Sequence, residues 1–174
     1  EAHREGSRRT VNTPASSEKK LFGTDGIRGV AGEPPLDPKT VFVIGKSLGE
    51  SLRGQASSPR VLIGEDTRES SQWIAETLAA GLRDTGVAAI TPGVLTTPGL
   101  AYLTRAEGFP CGVMISASHN PYQDNGIKVF AATGYKLPDA EELAVEKKIF
   151  AALADGRSVQ PSRLAMWPDH ALVE

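Results

Sequence analysis

Residues 112–130, GVMISASHNPYQDNGIKVF, place two apolar runs on either side of a polar loop. Gly112–Ile115 and Ile127–Phe130 have the length and composition of buried strands, and the Asp124-Asn125-Gly126 step has the chemistry of a tight turn between them. A hairpin needs nothing more. Yet the first run opens directly onto Ser116-Ala117-Ser118-His119-Asn120-Pro121, so the loop is longer and more polar than a connection requires.

Working outward, the chain alternates helical and strand patterns. Asp37 followed by Pro38 is a helix cap with proline in the first turn, and Val41, Ile44, Leu48 and Leu52 recur behind it at helical spacing. Arg60–Gly64 reads as a short strand. Ser70 or Ser71 is expected to cap a helix that carries Ile74, Leu78 and Leu82 on one face and stops at Gly86. A strand over Val87–Ile90, a helix after Pro98, the Cys111–Ile115 strand, the return strand near Ile127 and a helix over about Asp139–Ala154 complete the order. This rhythm predicts an α/β fold, a three-layer α/β/α sandwich with a mixed, mostly parallel sheet and one antiparallel strand after the Asn125-Gly126 turn. No internal repeat or low-complexity tract interrupts it.

Composition excludes several classes of partner. With 174 residues and 40% hydrophobic content the chain can bury a core. Its net charge is −2 with the two signs interspersed, which leaves no basic field for nucleic acid. No apolar stretch is long enough to span a bilayer, so no membrane partner is expected. Cys111 is the only cysteine, which fits a reducing, cytoplasmic location. Residues 1–20 are polar and aperiodic and are expected to be a flexible leader, residues 21–157 a single domain, and residues 158–174 a linker towards a further domain.

Three polar clusters are candidate sites. In open α/β sheets ligands sit beyond the carboxyl ends of the strands, which is where residues 116–124 are expected. Ser118 and His119 have the chemistry of a nucleophile and a proton carrier, although Ser, His, Asn and Pro are also plain loop-formers. His119 is the only histidine outside the two end segments, and Asp66 or Asp124 could orient it, but the GxSxG of a serine hydrolase is absent. Lys128 sits among apolar residues as either a partnered buried ammonium or an edge-strand lysine facing water. Phe22–Gly32, FGTDGIRGVAG, combines Gly23, Gly26, Gly29 and Gly32 with Arg28, whose planar fork suits phosphate; a glycine-rich turn with one surface arginine is the plainer reading. Gly64–Ser70, GEDTRES, is too acidic for phosphate, so Asp66 is expected to orient a neighbour or cap the helix, and Arg68 to form a salt bridge.

Taken together, FGTDGIRG, GEDTR, TTPGLAY and ISASHNPYQDNGIKVF resemble the first domain of the alpha-D-phosphohexomutases, most closely the branch of bacterial phosphoglucosamine mutases, over about Leu21–Leu153. The resemblance implies that Ser118 is carried as phosphoserine, that His119 and Lys128 assist proton transfer, and that Arg28, with Asn120 and Lys128, binds the phosphate. It further implies Mg²⁺, held by the Ser118 phosphate and by an Asp-Gly-Asp-Gly-Asp-Arg loop of a second domain. A sugar 1,6-bisphosphate intermediate and a hexose or hexosamine phosphate substrate follow from the same likeness. No DGDGDR stretch occurs in this sequence, so domains II to IV of a longer chain are expected partners and the isolated domain is expected to be inactive. Phosphomannomutase or phosphoglucomutase activity, or a non-catalytic domain that binds a phosphosugar or a protein, are the alternatives.

Overall fold

The computed structural model describes residues 21–54 and 59–156. The expected leader and linker lie outside them. Nine elements follow in order: β1 (Ile27–Val30), α1 (Pro38–Leu52), β2 (Arg60–Glu65), α2 (Glu69–Asp84), β3 (Ala88–Val94), α3 (Thr97–Ala106), β4 (Cys111–Ile115), β5 (Asp124–Ala131) and α4 (Asp139–Asp155). The strands form one sheet in the order β1-β5-β4-β2-β3. β2 is parallel to both β3 and β4, while β5 is antiparallel to β4 and β1. Only β5 runs against the other four, as a mixed, mostly parallel sheet requires.

Side chains alternate across this sheet and define two unequal layers. Ile27, Ile63, Val113, Ile115, Ile127 and Val129 point to one side, where they form the main core with Ile44, Leu48, Ile74, Leu78, Val145 and Ile149 of α1, α2 and α4. Each such side chain contributes about 1.5–3 kcal/mol when fully buried. The opposite face carries a smaller cluster, Leu62, Leu100, Phe109 and Met114, under α3. Helices α1 and α2 touch through glycine: a Cβ on Gly45 would fall on the Leu78 carbonyl, and one on Gly81 on the Phe42 carbonyl.

Local rules explain most boundaries. Asp37 caps α1 by accepting from the Thr40 amide at 3.1 Å, and Thr96 caps α3 by accepting from Gly99 at 3.1 Å. α4 opens with Asp139, Glu141 and Glu142 in its first turn and ends on Gly156 in the left-handed region at φ 65°.

Three expectations need correction. Ser70 and Ser71 do not cap α2; Arg68 is its N-cap and makes no side-chain cap bond, and both serines lie inside the first turn. Asp124-Asn125-Gly126 is not a turn but the start of β5. Asn125 is fully buried there because its amide is satisfied: it donates to the Ser70 and Ser71 hydroxyls at 2.8 and 3.0 Å and accepts from the Gly126 amide at 2.8 Å. Finally, the glycine-rich stretch 22–32 contains strand β1, four residues pairing with β5, which places β5 inside the sheet and removes the edge-strand reading of Lys128.

Candidate functional site

The loop between β4 and β5, residues 116–123, leaves the sheet at the carboxyl end of β4. Ile115 still pairs with Ile127, and the Ser116 amide donates to the Gly126 carbonyl at 2.9 Å, so the chain is held to its neighbour until the loop begins. Gly126 is obligatory at this crossing. A Cβ there would stand 2.7 Å from the Ser116 carbonyl oxygen and 3.0 Å from that of Ile27.

Ala117 is fully buried under the loop, and Ser118 and His119 are exposed on it. Ser118 has φ 59°, the one non-glycine residue in the left-handed region among the described residues. A side chain in that conformation costs about 1–3 kcal/mol and persists only where surrounding bonds hold it. Here the Ser118 amide donates to the Ser116 hydroxyl at 3.0 Å, and the Asn120 amide closes a turn onto the Ala117 carbonyl at 3.2 Å.

Two arginines grip the loop. Arg28 of β1 donates from one terminal nitrogen to the Ala117 carbonyl and to Asn120 Oδ1, both at 2.9 Å. Its other terminal nitrogen reaches only Asp25, at 3.5 Å, and its buried Nε has no hydrogen-bond partner. Arg68, just before α2, donates to the carbonyls of Pro121 (2.6 Å), Asp124 (3.1 Å), Ser118 (2.9 Å) and Asn120 (2.9 Å), and from Nε to Asp66 at 3.2 Å. Asp66 also accepts from the Ser71 hydroxyl at 2.6 Å and the Arg68 amide at 3.0 Å. Burial alone would raise its carboxyl; the Ser71 hydroxyl, the Arg68 amide, the Ser116 hydroxyl and the Arg68 charge outweigh that and hold it below the ordinary 3.8.

Four of the expected residues line two adjoining hollows, whereas Ser118 lines neither. Arg28, His119 and Asn120 line an open hollow of about 500 Å³ together with Thr24, Asp25 and Gly26. Lys128 lines a second of about 230 Å³ that shares Thr24, Asp25 and Gly26 with the first. Arg28 pairs with Gly126, two residues before Lys128, so both cations rise from the same face of the sheet. Asn120 is engaged at both ends, accepting from Arg28 and donating to Asp124 Oδ2 at 3.1 Å. Sequence reasoning gave Arg68 a salt bridge, which it has, but missed its four carbonyl acceptors. Backbone carbonyls leave no mark in a sequence, and these lie 50 to 56 residues downstream.

Among the described residues no group of three or more His, Cys, Asp or Glu side chains is placed to hold a metal ion. A phosphate on Ser118 would offer oxygen ligands for Mg²⁺, but the described residues do not complete a site around it. Burial pushes the Cys111 thiol up to about 12, so it supplies no thiolate. No described helix is long and apolar enough to cross a membrane.

The fold and this loop define a three-layer α/β/α domain that presents an exposed serine on a loop gripped by an arginine with an unpaired donor. Residues 19–155 match the family described as phosphoglucomutase/phosphomannomutase, alpha/beta/alpha domain I, and the chain belongs to that family. It is 60% identical over 132 residues to a phosphoglucosamine mutase of Koribacter versatilis, covering 76% of this chain and 28% of that protein. A phosphoglucosamine mutase of Thermus thermophilus is 53% identical over 129 residues, covering 74% of this chain and 30% of that one. Among solved structures, a phosphoglucomutase/phosphomannomutase family protein of Burkholderia thailandensis superposes with TM-score 0.65 at 28% identity, covering 76% of this chain and 30% of that one. The phosphoglucomutase parafusin of Paramecium, at 20% identity and TM-score 0.67 over 74% of this chain and 25% of that one, shares the fold. The chain thus spans under a third of the length of these relatives.

Proposed function

We propose that this domain carries the transferable phosphoryl group of a phosphohexomutase, on Ser118, within a longer cytoplasmic chain whose domains II to IV supply the rest of the site. The substrate is a hexosamine phosphate, glucosamine 6-phosphate or 1-phosphate, in keeping with relatives named as phosphoglucosamine mutases. One observation carries the reading: Ser118 is held exposed in a left-handed conformation on a stretch whose Ala117 and Asn120 both bond Arg28, and the second terminal nitrogen of Arg28 is left nearly unengaged.

In this reaction the bond between phosphorus and Ser118 Oγ breaks as a bond forms from phosphorus to the free sugar hydroxyl oxygen. The hydroxyl proton passes to the His119 imidazole, and a sugar 1,6-bisphosphate results. After the bisphosphate turns over, its other phosphoryl group returns to Ser118 Oγ and the proton goes back to the sugar oxygen that is freed. Phosphoryl transfer depends chiefly on alignment and charge neutralisation. Arg28 supplies charge beside the phosphoryl group, Lys128 a second cation from the same face, and Asn120 orients Arg28. Mg²⁺ bound to the phosphoserine would add further neutralisation, with its protein ligands in the second domain.

The test compares full-length protein with the 174-residue chain. The isolated chain is expected to show no measurable interconversion of the glucosamine phosphates. Full-length Ser118→Ala is expected to lose nearly all turnover while melting like the parent, because an exposed loop serine supports little packing. Normal turnover by that variant removes Ser118 from the mechanism.

A further inference from the structure

The guanidinium group has five N–H donors, and in Arg68 all five are used: one on Asp66, three on carbonyls of the Ser118 loop and one on the Asp124 carbonyl at the start of β5. No donor is left for a phosphate, although the group bonds the carbonyl of the exposed serine itself at 2.9 Å. The first of the four acceptors is the carbonyl of Ser118 itself, whose backbone is strained, and the others follow it at 120, 121 and 124. Asp66 fixes Arg68 from behind, and through the Ser116 hydroxyl it also reaches the Ser118 amide.

From this we propose that Arg68 is a positioning residue for phosphoryl transfer: it holds the Ser118 backbone in the left-handed geometry that aims the hydroxyl, and it takes no part in binding substrate. The inference rests on the phosphoserine reading above. With Arg68 shortened or replaced, four carbonyls lose their shared donor and nothing on that side opposes relaxation of Ser118 to negative φ. Misplacement of a reacting group by about 1 Å is enough to lower a rate some 100-fold. Lysine cannot substitute, since its three donors radiate from one nitrogen and do not match a planar fork.

Arg68→Lys and Arg68→Gln in the full-length protein test this by two readouts. Steady-state kinetics are expected to show kcat reduced about 100-fold in both variants with KM for the sugar phosphate changed less than about threefold. Amide hydrogen exchange is expected to accelerate at Asn120 and Asp124, whose N–H groups close turns inside the loop, while Val113 in β4 keeps its protection. Parental kcat in Arg68→Lys, or faster exchange spread evenly through β4 and the loop, overturns the inference, the second outcome marking Arg68 as a general stabiliser. Ser118→Ala run alongside separates the two levels. If that variant turns over normally, the phosphoserine reading fails, while the exchange data still decide whether Arg68 holds the loop.

Discussion

Arg28, in β1, and Arg68, just before α2, reach the same loop and use their donors differently. Arg68 is the more enclosed, with its side chain 12% exposed against 23% for Arg28, and every N–H it has is paired. Arg28 touches the loop with one terminal nitrogen only and keeps a buried Nε without a partner. An unpaired buried donor costs about 1–3 kcal/mol, which a fold tolerates where a ligand can complete the bond. The contrast separates a group that shapes the loop from one that is free to meet an anion, although both are arginines within hydrogen-bond reach of the same loop.

Exchanging Arg28 for lysine breaks this contrast most severely. Arg28→Lys in the full-length protein keeps the charge but loses the fork that spans Ala117, Asn120 and the hollow. Its kcat/KM is expected to fall about 100- to 1000-fold, the usual loss on removing an oriented donor from a developing charge. The melting temperature should stay close to the parent's, because the Arg68 side still carries the loop. A variant that melts early and recovers its rate on cooling would make Arg28 structural and erase the distinction.

Gly126→Ala strikes the floor beneath both arginines. The added Cβ would press on the Ser116 and Ile27 carbonyls and lie 3.3 Å from Arg28 Cγ, so backbone has to move. The expected loss is about 2–4 kcal/mol in denaturant unfolding of the 174-residue chain. A stability within 0.5 kcal/mol of the parent, roughly the noise level of surface substitutions, would show that β5 can slide away from the loop.

Gly126 also marks how far the sequence could be read. The two apolar runs, the Asp37-Pro38 cap and the polar loop at a strand end were all legible, because each depends on residues adjacent in the chain or at a fixed period. β1 was not: with only Ile27 and Val30 apolar in four residues, it has no alternation long enough to register, and it is a strand because β5 pairs with it. Asn125-Gly126 looked like a turn since both residues favour one, yet tertiary partners decided otherwise. Ser70 and Ser71 supply acceptors for Asn125, and close carbonyls exclude any side chain at 126. The site was legible as a set of residue types, while the division of labour between Arg28 and Arg68 depends on acceptors that only folding brings near.

Asn125→Ala sharpens the comparison from the Arg68 side alone. It leaves the Ser70 and Ser71 hydroxyls and the Gly126 amide to find other partners, and is expected to destabilise by about 1–3 kcal/mol. Loop amides near Asp124 should exchange faster than that of Ala31, whose bond to the Gln123 carbonyl lies on the β1 side. Equal acceleration at both would mean that the two grips are not independent.

The smallest effect concerns pH, and it isolates the carboxylate behind Arg68. Asp66 has a folded-state pKa below its ordinary 3.8, so its stabilisation is fully present above that pH and is lost as pH falls through the lowered value. Glu65, one residue earlier, has the opposite sign: burial, then Glu76 and Asp66, raise it above 4.5, so its contribution is present below that pH and is lost as pH rises through the raised value. On acidification from neutrality, stability of the 174-residue chain should therefore gain slightly as Glu65 takes a proton and then decline as Asp66 does. Urea midpoints measured across this range for parent, Glu65→Gln and Asp66→Asn should show the gain missing in the first variant and the decline shallower in the second. Arg28 has no comparable carboxylate behind it, only Asp25 at 3.5 Å and 67% exposed. A decline that persists unchanged in Asp66→Asn would mean that Arg68 holds the loop without needing its carboxylate.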